Sequence, residues 1–179
     1  MAVGYATSNR GGTHQDGRPT AERAGIVDPN QTEGKGTYEV QVQRMTTFMD
    51  TMIMCRMLEG IFGPIGITED HAKLVKVVTG MDLPIDELKD IADRIWILER
   101  AFNIRDGEDR SSDTLPWRFM NEPIPSGPSK GKYIPEELLN RMLDETYKER
   151  GWDGKTGLPL KETLERLGLP EVTKEIYRQ

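Results

Sequence analysis

Two reactive side chains lie five residues apart in the most apolar stretch of the sequence. This stretch, residues 45–62, is MTTFMDTMIMCRMLEGIF and contains Asp50 and the only cysteine, Cys55. A carboxylate in apolar surroundings requires hydrogen-bond donors or a cation, because burying it unpaired costs roughly several kcal/mol. Cys55 is either a packed core residue, the usual role of a free cysteine, or a thiolate ligand of a metal or cluster. Since one cysteine cannot hold a four-iron cluster, the second hypothesis requires ligands from another segment.

A second group of reactive side chains lies near the start of the chain, in the sequence TSNRGGTH at residues 7–14. It combines hydroxyl groups, the Arg10 guanidinium, the backbone N–H groups of two glycines and the His14 imidazole. Guanidinium and backbone N–H groups bind phosphate well, so the segment indicates an anion-facing site. The alternative for His14, and the expectation for His71, is an exposed surface position. The sequence contains no CxxC pair, P-loop, GxGxxG motif or Ser-His-Asp order.

Helices are expected to position these side chains, because the apolar residues recur at three- and four-residue steps. Residues 45–62 are apolar on nearly every face, which predicts one buried helix that carries both Asp50 and Cys55. No segment shows the two-residue alternation of a half-buried strand. The fold class is therefore all-α, multihelical with long irregular loops. Further helices are predicted at residues 69–79, 84–102, 135–150, 161–167 and 171–177.

The predicted helix at residues 84–102 is amphipathic. Leu98 and Phe102 are expected on its buried face and Asp93 on its solvent face. The shorter helix at residues 69–79 begins after Thr68, a favourable N-cap residue.

Turn residues divide the chain into a loop-rich segment, residues 1–37, and a helical domain, residues 38–179. The first segment carries Arg10 and His14. A second irregular region covers residues 103–132, where closely spaced prolines and glycines exclude long helices. The chain enters a polar loop directly from its first residues, which suggests a piece of a larger protein.

Composition excludes several classes of protein. A net charge of −6 over 179 residues argues against a nucleic-acid partner. One cysteine cannot form an internal disulfide. The sequence contains no run of about 18 apolar residues, the length needed to span a membrane. These features predict a cytoplasmic protein without a membrane partner.

Four segments together resemble the C-terminal part of the aldehyde ferredoxin oxidoreductase family. Two are short: ATSNRGGTH at residues 6–14 and DTMIMC at residues 50–55. Two are long: ERAFNIRDGEDRSSDTLPWRF at residues 99–119 and YKERGWDGKTGLPLKETLERLGL at residues 147–169. They occur in the family's order and span almost the whole chain.

The resemblance implies a tungsten, or occasionally molybdenum, bis-pyranopterin and a [4Fe-4S] cluster. Enzymes of this family oxidise aldehydes to carboxylates and pass the electrons through the pterin and the cluster to ferredoxin. An N-terminal β domain lies under the cofactor and two helical domains cover it. This chain would be the last helical domain with a little of the middle one. The N-terminal β domain and most of the middle domain would be absent.

The family motif D-x-x-G-L-C maps onto residues 50–55. It implies that Asp50 hydrogen-bonds a pterin, that Met54 lies against the cofactor, and that Cys55 is the fourth ligand of the cluster. The other three cluster cysteines would belong to the missing part. Two positions depart from the family pattern: Ile53 stands where the family has glycine, and Met54 where it prefers leucine.

The resemblance also gives roles to the loop residues. Arg10 corresponds to an arginine that binds the pterin phosphate. His14 corresponds to a catalytic histidine, a hydrogen-bond donor at the metal or to the substrate carbonyl. Some members have a lysine after this histidine, where this chain has Asp16, so no role carries over to that position.

Three functional hypotheses follow. In the first, the chain is the cofactor-covering portion of an aldehyde oxidoreductase, inactive alone, whose partners are its N-terminal part, ferredoxin and an aldehyde. In the second, it is a truncated or degenerate helical domain without metal that only folds or binds a partner. In the third, it belongs to a carboxylate or acyl-thioester reductase on the same scaffold. A homo-oligomer is compatible with all three.

Overall fold

The computed structural model describes residues 1–58, 63 and 65–177, and its regular secondary structure in these ranges is helical, with long loops between the helices. The prediction of an all-α fold is confirmed, since no strand occurs in the described part of the chain. Within those ranges no helix combines the length and apolar character needed to cross a membrane. The α-helices are α1 (Ala2–Ala6), α2 (Thr20–Arg23), α3 (Lys35–Thr51), α4 (Glu69–Thr79), α5 (Ile85–Arg105), α6 (Trp117–Asn121), α7 (Glu136–Arg150), α8 (Lys161–Arg166) and α9 (Pro170–Ile176).

Helix α3 is the centre of the fold and packs against α7 and α5. Gly36, in its first turn, allows the closest approach. A Cβ atom at this position would lie 2.2 Å from the carbonyl oxygen of Met142 on α7. Any side chain here would push the two helices apart, so glycine is needed for this contact.

Two apolar cores lie on either side of this arrangement. The first is built mainly by α5 and α7, with α1, α8 and α9 packed around them. The second holds α3 against α4 and the start of α5. The buried members of the second core are Met45, Phe48, Met49, Ile67, Val75, Leu88 and Ala92.

The predicted helix at residues 45–62 is wrong in its extent. The observed helix α3 begins ten residues earlier, at Lys35, and ends at Thr51. A 3-10 turn, Arg56–Leu58, follows it. The remainder of the predicted helix, residues 59–62, lies outside the described residues. The apolar run therefore continues beyond the point where the backbone leaves the helix, and Cys55 is in a connecting segment.

The predicted faces of α5 need correction. Asp93, expected in solvent, is buried and pairs with two arginines: Arg44 Nη2 on α3 lies 2.7 Å from its carboxylate and Arg150 Nη1 on α7 lies 3.1 Å from it. Burial lowers the pKa of Arg150 to about 10. Leu98 and Phe102, expected in the core, are exposed. The ion pairs satisfy charges that would otherwise be costly to bury.

The prediction that His71 is exposed on the surface is also wrong, because the residue is fully buried. Its Nδ1 accepts the backbone N–H of Thr68 at 3.0 Å and so completes a capping box at the start of α4. The ring packs edge-on against Phe48 of α3. Burial lowers the pKa of His71 below its ordinary value.

This geometry predicts acid-sensitive folding. A lowered folded-state pKa means that the unfolded chain binds the proton more readily, so the stabilising contribution of neutral His71 is complete above about pH 6.5 and lost as pH falls through the folded-state pKa. Protonation also breaks the hydrogen bond from Thr68, a net loss of about 1 kcal/mol. In His71→Gln the amide oxygen keeps the cap, and we expect a smaller decline of the free energy of unfolding.

Urea unfolding at about pH 7 and about pH 5 measures this difference. Lys73→Gln, on the exposed face of the same helix, is the matched control and should decline as the wild type does. If the free energy of unfolding fell equally between the two pH values in His71→Gln and in the wild type, the capping role of His71 would be contradicted.

Candidate functional site

The loop that carries Arg10 and His14 is tied to α3 by two buried hydrogen bonds. Gln43 donates from Nε2 to Thr7 Oγ1 at 2.9 Å, and Thr46 donates from Oγ1 to the carbonyl oxygen of Asp16 at 2.9 Å. Both donors are themselves buried on α3. The loop is thus held at both ends by the helix that also carries Asp50.

The middle of the loop is tied to α5 through Asn9. The side-chain Nδ2 of Asn9 donates to the backbone carbonyl oxygen of Trp96 at 3.1 Å. The backbone carbonyl oxygen of Asn9 accepts from Asn103 Nδ2 at 2.9 Å. A cavity of about 790 Å³ borders this part of the loop, with Gly11 and Gly12 in its wall. The loop is consequently an ordered part of the fold, as expected of a functional loop.

At the end of the loop, Gly17 packs directly on a buried carboxyl group. A Cβ atom on Gly17 would lie 1.6 Å from Glu39 Oε1, so only glycine fits here. Burial raises the pKa of Glu39. This residue of α3 was not identified from the sequence, because its neighbours in the chain give no sign that the loop lies over it.

Arg10 joins the loop to the end of α3. Its Nε donates to Asp16 Oδ1 at 2.8 Å, and its Nη2 lies 3.6 Å from Asp50 Oδ2. The hydrogen bond to Asp16 raises the pKa of Arg10 above its ordinary value. The structure therefore brings together two of the predicted site residues, Arg10 and Asp50. It adds Asp16, a position to which the family resemblance gives no role.

The end of α3 has the hydrogen bonds of a Schellman motif. Ile53 donates its backbone N–H to the carbonyl oxygen of Asp50 at 3.1 Å, and Met54 donates to that of Met49 at 2.8 Å. Ile53 has φ 55°, the only positive φ at a non-glycine residue in the described chain. Its side chain is 94% exposed. This is the position where the family motif has glycine, and the left-handed backbone explains why glycine suits it.

We expect Ile53→Gly to stabilise the protein by about 1 kcal/mol. A β-branched residue in the left-handed region is strained, and glycine removes that strain. Its exposed side chain contributes almost no packing that the substitution would lose. Thermal or urea unfolding measures the gain.

Ile53→Val is the control for this substitution. It keeps the branched Cβ and therefore the strain, so its stability should match the wild type. A glycine variant that is no more stable than the valine variant would show that the turn is not strained.

His14 and Cys55 take no part in the contact between Arg10 and Asp50. Both are exposed, and His14 Nε2 lies 3.2 Å from Gln15 Nε2. The described part of the chain contains no hydrogen bond between His14 and Asp50 or Cys55. Exposure of Cys55 also means that the packed-core interpretation of this residue is wrong. Met54 is half-buried and packs on the second core.

These residues fit the rim of a cofactor site better than a complete one. Arg10 and Asp50 are both half-exposed, and Arg10 Nη1 makes no hydrogen bond to a described residue. They could therefore bind a phosphate group and a hydrogen-bond donor of a pterin. No group of three or more metal-binding side chains occurs among the described residues. A four-iron cluster bound to Cys55 would need cysteines from elsewhere.

Comparison with known proteins agrees with the motifs. A family model for aldehyde ferredoxin oxidoreductase, domains 2 and 3, matches residues 1–169. The tungsten-containing aldehyde ferredoxin oxidoreductases of Pyrococcus furiosus and Pyrococcus horikoshii are each 36% identical over 176 aligned residues, which cover 94% of this chain and 28% of the relative. The chain thus spans little more than a quarter of the length of these relatives.

Two further proteins are similar over smaller shares. The WOR-like subunit of an aliphatic sulfonate oxidoreductase from Pyrococcus furiosus is 38% identical over 100 residues, 53% of this chain. Among solved structures, the active site complex BamBC of benzoyl coenzyme A reductase, in complex with 1,5-dienoyl-CoA, superposes with a TM-score of 0.64. That match has 26% sequence identity and covers 86% of this chain and 22% of the other.

The family model covers nearly the whole chain, and the two aldehyde ferredoxin oxidoreductases above align with 94% of it. The chain belongs to the aldehyde ferredoxin oxidoreductase family.

Proposed function

We propose that the chain is the C-terminal, cofactor-covering portion of an aldehyde:ferredoxin oxidoreductase and is active only with the remainder of the enzyme. The observation that carries this proposal is the contact between Arg10 and Asp50 at 3.6 Å. It joins two segments 40 residues apart in the chain, each of which matches a cofactor-binding motif of the family. Neither segment predicts this contact alone.

Arg10, Asp50, Met54 and Cys55 form one edge of the proposed site. Arg10 binds a phosphate group of the cofactor, since its Nη1 makes no hydrogen bond to a described residue. Asp50 accepts hydrogen bonds from a pterin ring, and the exposed thiol of Cys55 is one ligand of the cluster. When bound, the tungsten bis-pyranopterin and the [4Fe-4S] cluster supply the oxidation of the aldehyde and the transfer of its electrons to ferredoxin.

His14 is the proposed catalytic residue of this chain. Its imidazole is exposed in a loop anchored on two helices, where it donates a hydrogen bond to the substrate carbonyl. Such a bond draws electron density from the carbonyl carbon, which favours attack by water. The geometry requires the remainder of the enzyme to bring the substrate to this face.

The exposed apolar surface beyond α3 agrees with a missing portion. Ile53 is 94% exposed and Met57 is 80% exposed, and both follow the Asp50 carboxylate within seven residues. Large apolar side chains left this exposed near one another in the chain suit an interface. We infer that the N-terminal part of the enzyme covers them in a cytoplasmic complex.

A second candidate is an acyl-thioester reductase on the same scaffold. The structural similarity to the benzoyl coenzyme A reductase complex, with a TM-score of 0.64, favours it. This hypothesis keeps the same cofactor-facing residues, changes the substrate and reverses the direction of electron flow. A comparison of aldehydes and acyl thioesters as substrates of the assembled enzyme separates the two.

Metal analysis of the complex that copurifies with this chain from its native host, under anaerobic conditions, tests the proposal. We expect tungsten or molybdenum, about four irons per complex, and a larger partner chain or segment. A chain that is monodisperse, free of these metals and without a partner would contradict the proposal and favour the metal-free helical domain.

A further inference from the structure

Asp16 is the one acidic residue between Thr7 and Gly17, and it is hydrogen-bonded through both its side chain and its backbone. One carboxylate oxygen, Oδ1, accepts from Nε of Arg10 at 2.8 Å and also from its Nη2. The other, Oδ2, accepts from the Ser8 hydroxyl at 2.6 Å. The backbone carbonyl of Asp16 accepts from Thr46 on α3. Both ends of the residue are therefore fixed, one to the loop and the other to the central helix.

The pair formed by Asp16 and Arg10 is asymmetric in burial. The Asp16 side chain is 3% exposed, whereas that of Arg10 is 48% exposed. In the structural pair between Arg44 and Asp93, by contrast, both side chains are buried. A pair that serves only to fill the interior has no reason to leave one partner in solvent. Here the carboxylate is a buried anchor and the guanidinium extends from it to the surface.

The anchor determines which nitrogens of Arg10 remain available. Nε and Nη2 are committed to Asp16, and Nη2 also approaches Asp50. Nη1 makes no hydrogen bond to any described residue. An arginine side chain ordinarily samples many rotamers, so fixing its plane reduces the entropy that it loses on binding an anion.

We propose that Asp16 is a positioning residue that holds the Arg10 guanidinium across the gap between the loop and the end of α3, with Nη1 presented to a phosphate or pyrophosphate group. The inference rests on the proposed function for the identity of the anion, the phosphate of the pterin cofactor. Nothing in the family resemblance assigns this role, because the position holds a lysine in some members. In this chain the position is Asp16, which anchors Arg10 so that its Nη2 lies 3.6 Å from Asp50 Oδ2.

Two effects of removing the Asp16 charge have opposite signs, which makes the proposal testable. Asp16→Asn takes a negative charge away from Arg10, and by simple electrostatics the site should then bind an anion more tightly. If Asp16 positions Arg10, the variant keeps only a neutral amide oxygen as acceptor, the anchor weakens, and the anion binds more weakly in spite of the better charge. We expect the second result, with affinity lower by about tenfold, as for loss of one well-oriented charge-assisted hydrogen bond.

The experiment titrates the 179-residue chain with inorganic pyrophosphate and follows the Nε–H resonance of Arg10 and the backbone N–H resonances of the loop by NMR. In the wild type the Arg10 Nε–H should exchange slowly with solvent, because it is hydrogen-bonded to Asp16. Asp50→Asn is the matched control: it removes an equal charge near the same guanidinium but leaves the anchor, so its affinity for pyrophosphate should rise.

Ser8→Ala provides a second variant in case Asp16→Asn is not folded. It keeps the charge but removes the hydrogen bond to Oδ2 and the weaker one that the hydroxyl accepts from the backbone N–H of Arg10, so affinity should fall by a few-fold, roughly, with the Arg10 Nε–H exchanging faster. Unchanged or tighter pyrophosphate binding in Asp16→Asn, or no binding by the wild type, would overturn the inference. These readouts involve no metal, so their failure is distinct from a negative metal analysis of the complex.

Discussion

Replacing Cys55 by serine is expected to remove the iron–sulfur cluster from the assembled enzyme while tungsten remains bound. The thiol is exposed in the segment after α3, where it contributes nothing to either core and is free to ligate iron held by other cysteines. A hydroxyl group is a poor substitute for a thiolate ligand of a four-iron cluster. Iron content should fall from about four per complex towards zero, together with the visible absorbance of the cluster.

Met57→Ser is the matched control for this substitution. Met57 is exposed in the same segment, so a general disturbance of the segment would affect both variants equally. We expect the control to keep its iron. An intact cluster in Cys55→Ser would contradict the assignment of Cys55 as a ligand, whatever the activity of the variant.

Replacing His14 by alanine is expected to lower the turnover of the assembled enzyme by about 10²-fold or more, the usual contribution of a positioned acid–base side chain. The imidazole is exposed and makes its hydrogen bond within the loop, so its removal should leave the fold and the tungsten content unchanged. The steady-state rate and the metal content of the same preparation together measure this effect. A loss of rate that accompanies loss of tungsten would indicate a binding role instead.

His71→Gln is a useful control for the His14 variant. His71 is buried at the start of α4, so this substitution changes the pH dependence of stability without touching the proposed site. Its turnover near neutral pH should match the wild type. Wild-type turnover in His14→Ala would exclude a catalytic role for that histidine.

Helix α3 contributes to both the stability and the proposed function of the chain. Its buried face carries Gln43 and Thr46, which anchor the loop, and its C-terminal end carries Asp50. The loop and the carboxylate are therefore held by the same helix of this chain. Under the proposed function, the remainder of the enzyme supplies the other cluster ligands and covers the apolar side chains around Ile53.

Apolar periodicity determined most of the helices, and turn residues determined most of their ends. The helix predicted at residues 69–79 agrees with α4, and that predicted at 135–150 agrees with α7. Periodicity failed at residues 45–62, because an apolar run need not share one backbone conformation. There the helix ends at a left-handed residue, and isoleucine gives no local signal for such an ending.

The sequence by itself determined the family, the helical fold class and the candidate residues Arg10, His14, Asp50 and Cys55. These follow from short motifs and local spacing, which depend only on neighbours in the chain. Only the tertiary structure decided that Asp16 anchors Arg10, that Arg10 reaches Asp50, and that Cys55 lies outside the helix. Hydrogen bonds and ion pairs between distant segments depend on how helices pack in three dimensions, and no local pattern contains that information.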